Sequence, residues 1–88
     1  MKKYTKIQEN IISSLYLKKY IGKRHTPIEN LCKRLSQYPC KIIKKELKTL
    51  RNEGLLSFKQ TYHGKDIYLN PKKIKEIEEI VNKYNDWI

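Results

Sequence analysis

The sequence predicts a mainly α domain carrying one β-hairpin, in the order helix, helix, helix, strand, strand, helix. Three observations predict it. Apolar residues recur at helical spacing in four stretches of the 88-residue chain. A cap-forming residue, a proline or both stand at the head of each of those stretches. Between the third and fourth stretches, two short runs rich in β-formers flank His63-Gly64. A chain of this length is one domain with a thin core.

The first helix is expected over residues 6 to 21. Thr5-Lys6-Ile7-Gln8 has the form of a capping box, Ile7, Ile11 and Leu15 follow at spacing four with Ile12 beside them, and Gly22 sits where a left-handed cap belongs. Thr26-Pro27-Ile28-Glu29 reads as a second capping box, opening a short helix over residues 27 to 36 with Ile28, Leu31 and Leu35 on one face. Ser36-Gln37-Tyr38 is a tight link. The third helix is expected from Pro39 to Glu53, with Ile43, Leu47 and Leu50 as its buried stripe and Gly54 as its stop. Strands are expected over residues 55 to 62 and 65 to 69, with Phe58 facing Leu69 and Gln60 facing Ile67. Asn70-Pro71 caps a last helix over residues 71 to 88. In it Ile74, Ile77, Val81, Tyr84 and Ile88 follow a heptad seam, with Ile80 and Trp87 alongside.

Charge is the second informative property. The net charge is +11, from 20 Lys and Arg against 9 Asp and Glu. Residues 1 to 53 hold 14 of the basic and 4 of the acidic side chains, whereas residues 72 to 88 hold four of each. An excess of this size calls for an anionic partner, nucleic acid or a membrane surface. No apolar run approaches the ~20 residues of a membrane span. No apolar stretch follows the lysines at the N-terminus, so no signal peptide is expected, and a cytoplasmic, nucleoid-associated protein is. Cys32 and Cys40 lack partners at zinc-site spacing, and His25 and His63 do not complete a set, so no metal is expected. Both cysteines are expected small, buried and reduced; a Cys32–Cys40 disulfide is the alternative if the source is a hyperthermophile. There is no phosphate loop, no carboxylate pair in an apolar setting and no Cys-His pair at useful spacing. No enzyme, cofactor or small-molecule ligand is therefore expected.

With the Ile43/Leu47/Leu50 stripe turned inward, the third helix points Lys41, Lys45, Lys48, Thr49 and Asn52 outward, with Lys44 on the flank. Lys41/Lys45 and Lys44/Lys48 are like-charge i, i+4 pairs, each costing a few tenths of a kcal/mol. Phosphates would relieve that repulsion. The competing reading is a solvated lysine face in a lysine-rich proteome.

A short helix, a three-residue turn and a longer basic helix make a helix-turn-helix over residues 26 to 53, followed by a hairpin over 55 to 69. Thr26-Pro27, the Ile43/Leu47/Leu50 spacing, Arg51-Asn52-Glu53, Gly54 and Leu55-Leu56 together resemble the winged helix-turn-helix domains of bacterial and archaeal transcription regulators. The resemblance covers residues 26 to 69, about half of the chain, and implies a winged helix-turn-helix fold that binds double-stranded DNA. It implies the third helix in the major groove, bringing Lys41, Lys44, Lys45, Lys48 and Asn52, and a wing on the backbone or minor groove, bringing Tyr62, His63 and Lys65. Gln37 and Tyr38 in the turn are expected on phosphates. Ile42 is expected either on a thymine methyl or partly buried, and His63 as a pH-sensitive contact or a plain turn residue.

The face that should read bases is mostly lysine, and lysine contacts phosphate as a point charge. A transcription regulator is expected first. The alternatives are an architectural chromatin protein, to which small crenarchaeal winged-helix proteins that dimerise through a C-terminal helix are similar, and a protein-interaction module without nucleic acid. A homodimer is expected through Ile74, Ile77, Val81, Tyr84, Trp87 and Ile88. The lysine- and isoleucine-rich composition suits an AT-rich genome, archaeal or that of an archaeal virus or plasmid.

Overall fold

The computed structural model describes residues 3–85. Its elements run α1 (Lys6–Leu17), β1 (Thr26–Pro27), α2 (Ile28–Arg34), α3 (Cys40–Asn52), β2 (Leu56–Thr61), β3 (Gly64–Leu69), a 3-10 turn (Pro71–Lys73) and α4 (Ile74–Asn85). The domain is helix-rich, with four α-helices among the described residues and a three-stranded antiparallel sheet in the order β1-β3-β2. The expected helix and hairpin order is present, with one strand added.

The first capping box forms as the sequence predicts. The Gln8 amide donates to Thr5 Oγ1 at 3.2 Å, and the Thr5 amide donates to Gln8 Oε1 at 2.9 Å. The far end of α1 differs, because the helix stops at Leu17, four residues early. The left-handed cap is Lys19, at φ 62°, rather than Gly22. Its amide donates to the Tyr16 carbonyl, and the Tyr20 amide to the Leu15 carbonyl, the two bonds of a Schellman cap. The cause is tertiary. The Gly22 amide donates to the Leu69 carbonyl at 3.1 Å, and the Leu69 amide donates to the Tyr20 carbonyl at 2.8 Å. The end of β3 thus claims the backbone that would have continued the helix.

Thr26-Pro27 is a strand, not a capping box. Thr26 pairs with Ile67 and Pro27 with Asp66. The Thr26 hydroxyl accepts from Asn30 Nδ2 at 3.4 Å instead of capping the Glu29 amide. Proline has no amide to give to a ladder, which suits it to this edge strand. His25, just before it, joins Nδ1 to Oδ2 of buried Asp66 at 2.6 Å, anchoring the approach to β1 on β3.

Pro39, extended at φ −59° and ψ 139°, stands at the head of α3 as its cap. The reversal brings the first residue of α3 against α2, with 5.2 Å between the Cα atoms of Cys32 and Cys40. That separation suits a crosslink, and the two residues form a disulfide. Both are half-exposed. The expectation of buried, reduced cysteines is therefore corrected, because Leu31 and Leu35 occupy the inward face of α2.

Ile43, Leu47 and Leu50 of α3 are fully buried, and Gly54, at φ 81°, ends the helix as expected. The hairpin register is shifted. Phe58 pairs with Ile67 and Leu56 with Leu69, and the turn is Tyr62-His63 between the Thr61–Gly64 pair. Thr61 sets this turn: its hydroxyl donates to the Gly64 carbonyl at 2.9 Å and accepts from the His63 amide at 3.3 Å. A partner shift of two keeps every side chain on its expected face, because the strand period is two.

Asn70 links the end of α3 to the start of α4. Its Oδ1 accepts from the Lys72 amide at 3.0 Å and its Nδ2 donates to the Gly54 carbonyl at 2.9 Å. On α4, Ile77, Ile80 and Val81 are buried in the same cluster as Ile11, Ile12 and Leu15 of α1. The seam expected to meet a second copy is thus corrected at Ile77 and Val81, which are 0% and 3% exposed and present no surface to a partner. Ile74 is half-buried. Trp87, Ile88 and the side chain of Tyr84 lie outside the described residues. The Tyr16 hydroxyl donates to Glu78 Oε2 at 2.8 Å, tying α4 to α1 at the surface. That bond to a carboxylate raises the Tyr16 pKa above its ordinary 10.0.

Two predictions test this fold. Reducing the Cys32–Cys40 disulfide, which closes a short loop, lowers the unfolding free energy by about 2–3 kcal/mol on the chain-entropy account. Urea melts with and without a dithiol reductant measure this, and coincident curves would show that the crosslink contributes nothing. Replacing Lys19 by Gly removes the left-handed strain of an L residue at an exposed cap and raises stability by about 0.5–1 kcal/mol. A loss of stability would contradict that cap.

Candidate nucleic-acid interface

The buried stripe of α3 sets the phase of its outer face. Lys41, Lys44, Lys45, Lys48, Thr49 and Asn52 are all exposed, as the helical period requires. The acidic residue within α3 is turned away from them. Glu46 is half-buried and accepts a hydrogen bond from Gln8 Nε2 of α1 at 2.9 Å. None of the lysines has an ion-pair partner among the described residues. Ile42, expected at the margin, is 45% exposed there.

The tertiary structure brings part of the candidate set together. Lys44 and Lys48 of α3 and Lys65 of β3 line one concavity of about 250 Å³, with Ile28, Glu29 and Phe58. Phe58, on β2, is its organising residue. Lys65 Nζ lies 5.9 Å from the centre of its ring and Arg51 Cζ 5.0 Å. Cations over an aromatic face are attracted by the ring quadrupole. Arg51, from the last turn of α3, and Lys65, from the hairpin, thus share one ring. Neither Arg51 nor Phe58 stood among the candidates read from the sequence. Their signal was an arginine one turn beyond Lys48, seven residues before an aromatic, and only the path through Gly54 makes these neighbours.

The remaining candidates stand apart. Tyr62 and His63 form the hairpin tip, both exposed, with ring centroids 6.2 Å apart in an edge-on arrangement. Tyr62 is fully exposed and packs under nothing. At the other end of α3, Gln37 is exposed, whereas Tyr38 is half-buried against the core. The Tyr38 hydroxyl accepts from Asn10 Nδ2 at 3.0 Å, which leaves its own proton to donate outward.

A different concavity, of about 690 Å³, opens between the ends of α1, α3 and α4. Glu9, Glu53, Glu76 and Glu79 line it with Tyr4, Ile80 and Lys83. Burial, and then the charges of Glu53 and Glu76, push the Tyr4 phenol above its ordinary pKa. Its four carboxylates make this concavity acidic, in contrast to the exposed lysines of α3. Among the described residues, no three His, Cys, Asp or Glu side chains are grouped to hold a metal ion. No helix among them is long and apolar enough to cross a membrane.

No protein-family model, curated protein or solved structure matches the chain.

Proposed function

We propose that this protein binds double-stranded DNA as a winged helix-turn-helix domain and acts as a transcription regulator. α2 and α3 are the helix-turn-helix, α3 enters the major groove, and the β2–β3 hairpin is the wing on the backbone or minor groove. The observation that carries this reading is the convergence of Lys44, Lys48, Arg51 and Lys65 from a helix and a hairpin around Phe58. A major groove about 12 Å wide admits a helix, and a hairpin beside it lies along the flanking phosphates. Among the described residues the exposed lysines of α3 have no carboxylate partners, so phosphates would relieve their mutual repulsion.

In this reading Lys41, Lys45 and Lys48 hold the backbone. Asn52 is the amide on the face that is suited to bidentate recognition of adenine, and Ile42 offers apolar contact to a thymine methyl. Tyr62 and His63 reach outward from the wing tip. No catalytic role is proposed for any residue. The predominance of lysine supports a second reading, an architectural protein that binds DNA with little regard to sequence. The ratio of specific to non-specific affinity at fixed salt separates the two. Because Ile77 and Val81 belong to the chain's own core, the unit proposed here is the protomer, with no pairing through those positions.

Replacing Lys45 or Lys48 by Ala weakens duplex binding and reduces the log–log salt slope by about 1 in each variant. Lys75→Ala, at an exposed position of α4, leaves both unchanged. Fluorescence anisotropy on a labelled duplex across a salt series checks this. Unchanged slopes for Lys45→Ala and Lys48→Ala would remove α3 from the interface, and absence of binding at low salt would leave the protein-interaction reading.

A further inference from the structure

The face formed by α3 and the hairpin uses less than half of the charge excess. Residues 18 to 34 hold six basic side chains, Lys18, Lys19, Lys23, Arg24, Lys33 and Arg34, against Glu29 alone. That is five of the eleven net charges. All six are exposed, and none has an ion-pair partner among the described residues. We infer that these residues form a second polyanion-binding surface that takes a second DNA duplex, so that one protomer bridges two duplexes. The inference rests on the reading of α3 and the hairpin as the first DNA-binding face.

The surface is built, not scattered. Lys33 and Arg34 line a concavity of about 250 Å³ with Ser14, Tyr20, Thr26 and Asn30, and no acidic residue lines it. Arg24 lies over the Tyr20 ring, 5.5 Å from its centre, which holds the loop cation beside that concavity. Tyr20 is itself held by the Leu69 amide on its carbonyl. Lys18 and Lys19 follow the end of α1, and Lys33 and Arg34 close α2. The partial negative charge at two helix C-termini lets four cations gather there in the free protein. Lys23 and Arg24 have no such helix end to answer them.

The surface is built from other residues than the first. The two concavities share no residue: Ile28 and Glu29, at the start of α2, border one, whereas Asn30, Leu31, Lys33 and Arg34, further along the helix, border the other. Tyr20 to Gly22 are bonded to Leu69, the end of β3 remote from the Tyr62-His63 tip. A strand of that length separates the two ends by roughly 17–20 Å. Bridging requires that a duplex seated on α3 and the hairpin leave these cations to another, and the bonds of residues 20 to 22 to the far end of β3 support this for Lys23 and Arg24. Closely spaced phosphates are the ligand that suits Lys33 and Arg34 in a groove that no carboxylate lines, with Arg24 beside it.

The test is a capture assay at low salt. One duplex is fixed to beads, the protein is added, and retention of a second, fluorescent duplex of unrelated sequence is read. Anisotropy with a single short duplex is measured in parallel. The wild-type protein retains the fluorescent duplex. The variant K23Q/R24Q/K33Q/R34Q loses capture by about tenfold or more while its single-duplex affinity falls by less than about threefold. K23Q/K33Q, which leaves Arg24 on Tyr20, shows an intermediate loss, and a thermal melt confirms that each variant is folded. Undiminished capture by the folded variants would overturn the inference, since bridging would then come from association of copies. So would single-duplex binding by the wild type without capture, which would place these cations on the same duplex or on none. K45A/K48A tests the first face separately: if it keeps full single-duplex affinity, the assignment of α3 fails whatever the capture arm shows.

Discussion

The phase of α3 is the constraint on which the rest depends. Ile43, Leu47 and Leu50 are each fully buried. Burying such a side chain contributes about 1.5–3 kcal/mol, whereas an i, i+4 pair of like charges costs a few tenths. Burial wins by an order of magnitude. The helix therefore cannot rotate to spread its lysines, and Lys41, Lys44, Lys45 and Lys48 stay exposed despite their repulsion. The face proposed to meet DNA is a by-product of how the core is packed.

Around α3 the chain is tied by long-range polar bonds as well as by packing. Strand β3 is central: β1 and β2 pair on its two sides, and its last residue, Leu69, exchanges hydrogen bonds with the segment that follows α1. Asn70 then joins the α3 stop to the α4 start, and the Cys32–Cys40 disulfide holds α2 to the head of α3. The Lys65 side chain thus has a defined position relative to that of Lys48, although the Gly54 turn, β2 and the hairpin turn separate them along the chain. Few rigid connections are needed when each closes on the same two elements.

Charge is segregated on this scaffold. The α3 face and the 18 to 34 surface are basic, and the groove between the ends of α1, α3 and α4 is lined by four glutamates. In the proposed function, segregation would orient the molecule in the field of a polyanion before contact, speed encounter and make it sensitive to salt. The use of lysine, with one arginine stacked on Phe58, favours backbone contact over base reading. Affinity and specificity are therefore separable properties in the proposed function, with affinity the better supplied.

The local chemistry of the sequence determined the capping box at Thr5, the buried stripe of α3, its stop at Gly54, the Asn70 cap and the existence of a hairpin. Each rests on residues within a few positions of one another, where spacing alone specifies geometry. Most of the candidate interface was legible for the same reason, since the exposed lysines follow from the helical period. Tertiary structure decided what depends on partners distant in the chain. Leu69 ended α1 early, and Ile67 and Asp66 drew Thr26-Pro27 into a strand. The hairpin register moved because Thr61 bonds across the turn, a choice that alternation cannot see. The approach of α2 to the head of α3 joined two cysteines that spacing left undecided. Packing of α4 on α1 buried Ile77 and Val81, because a seam of apolar residues in sequence does not say which surface will cover it. Arg51 and Lys65 met over Phe58 only when the hairpin folded back beside α3, so the sequence supplied the cations and the fold decided which of them act together.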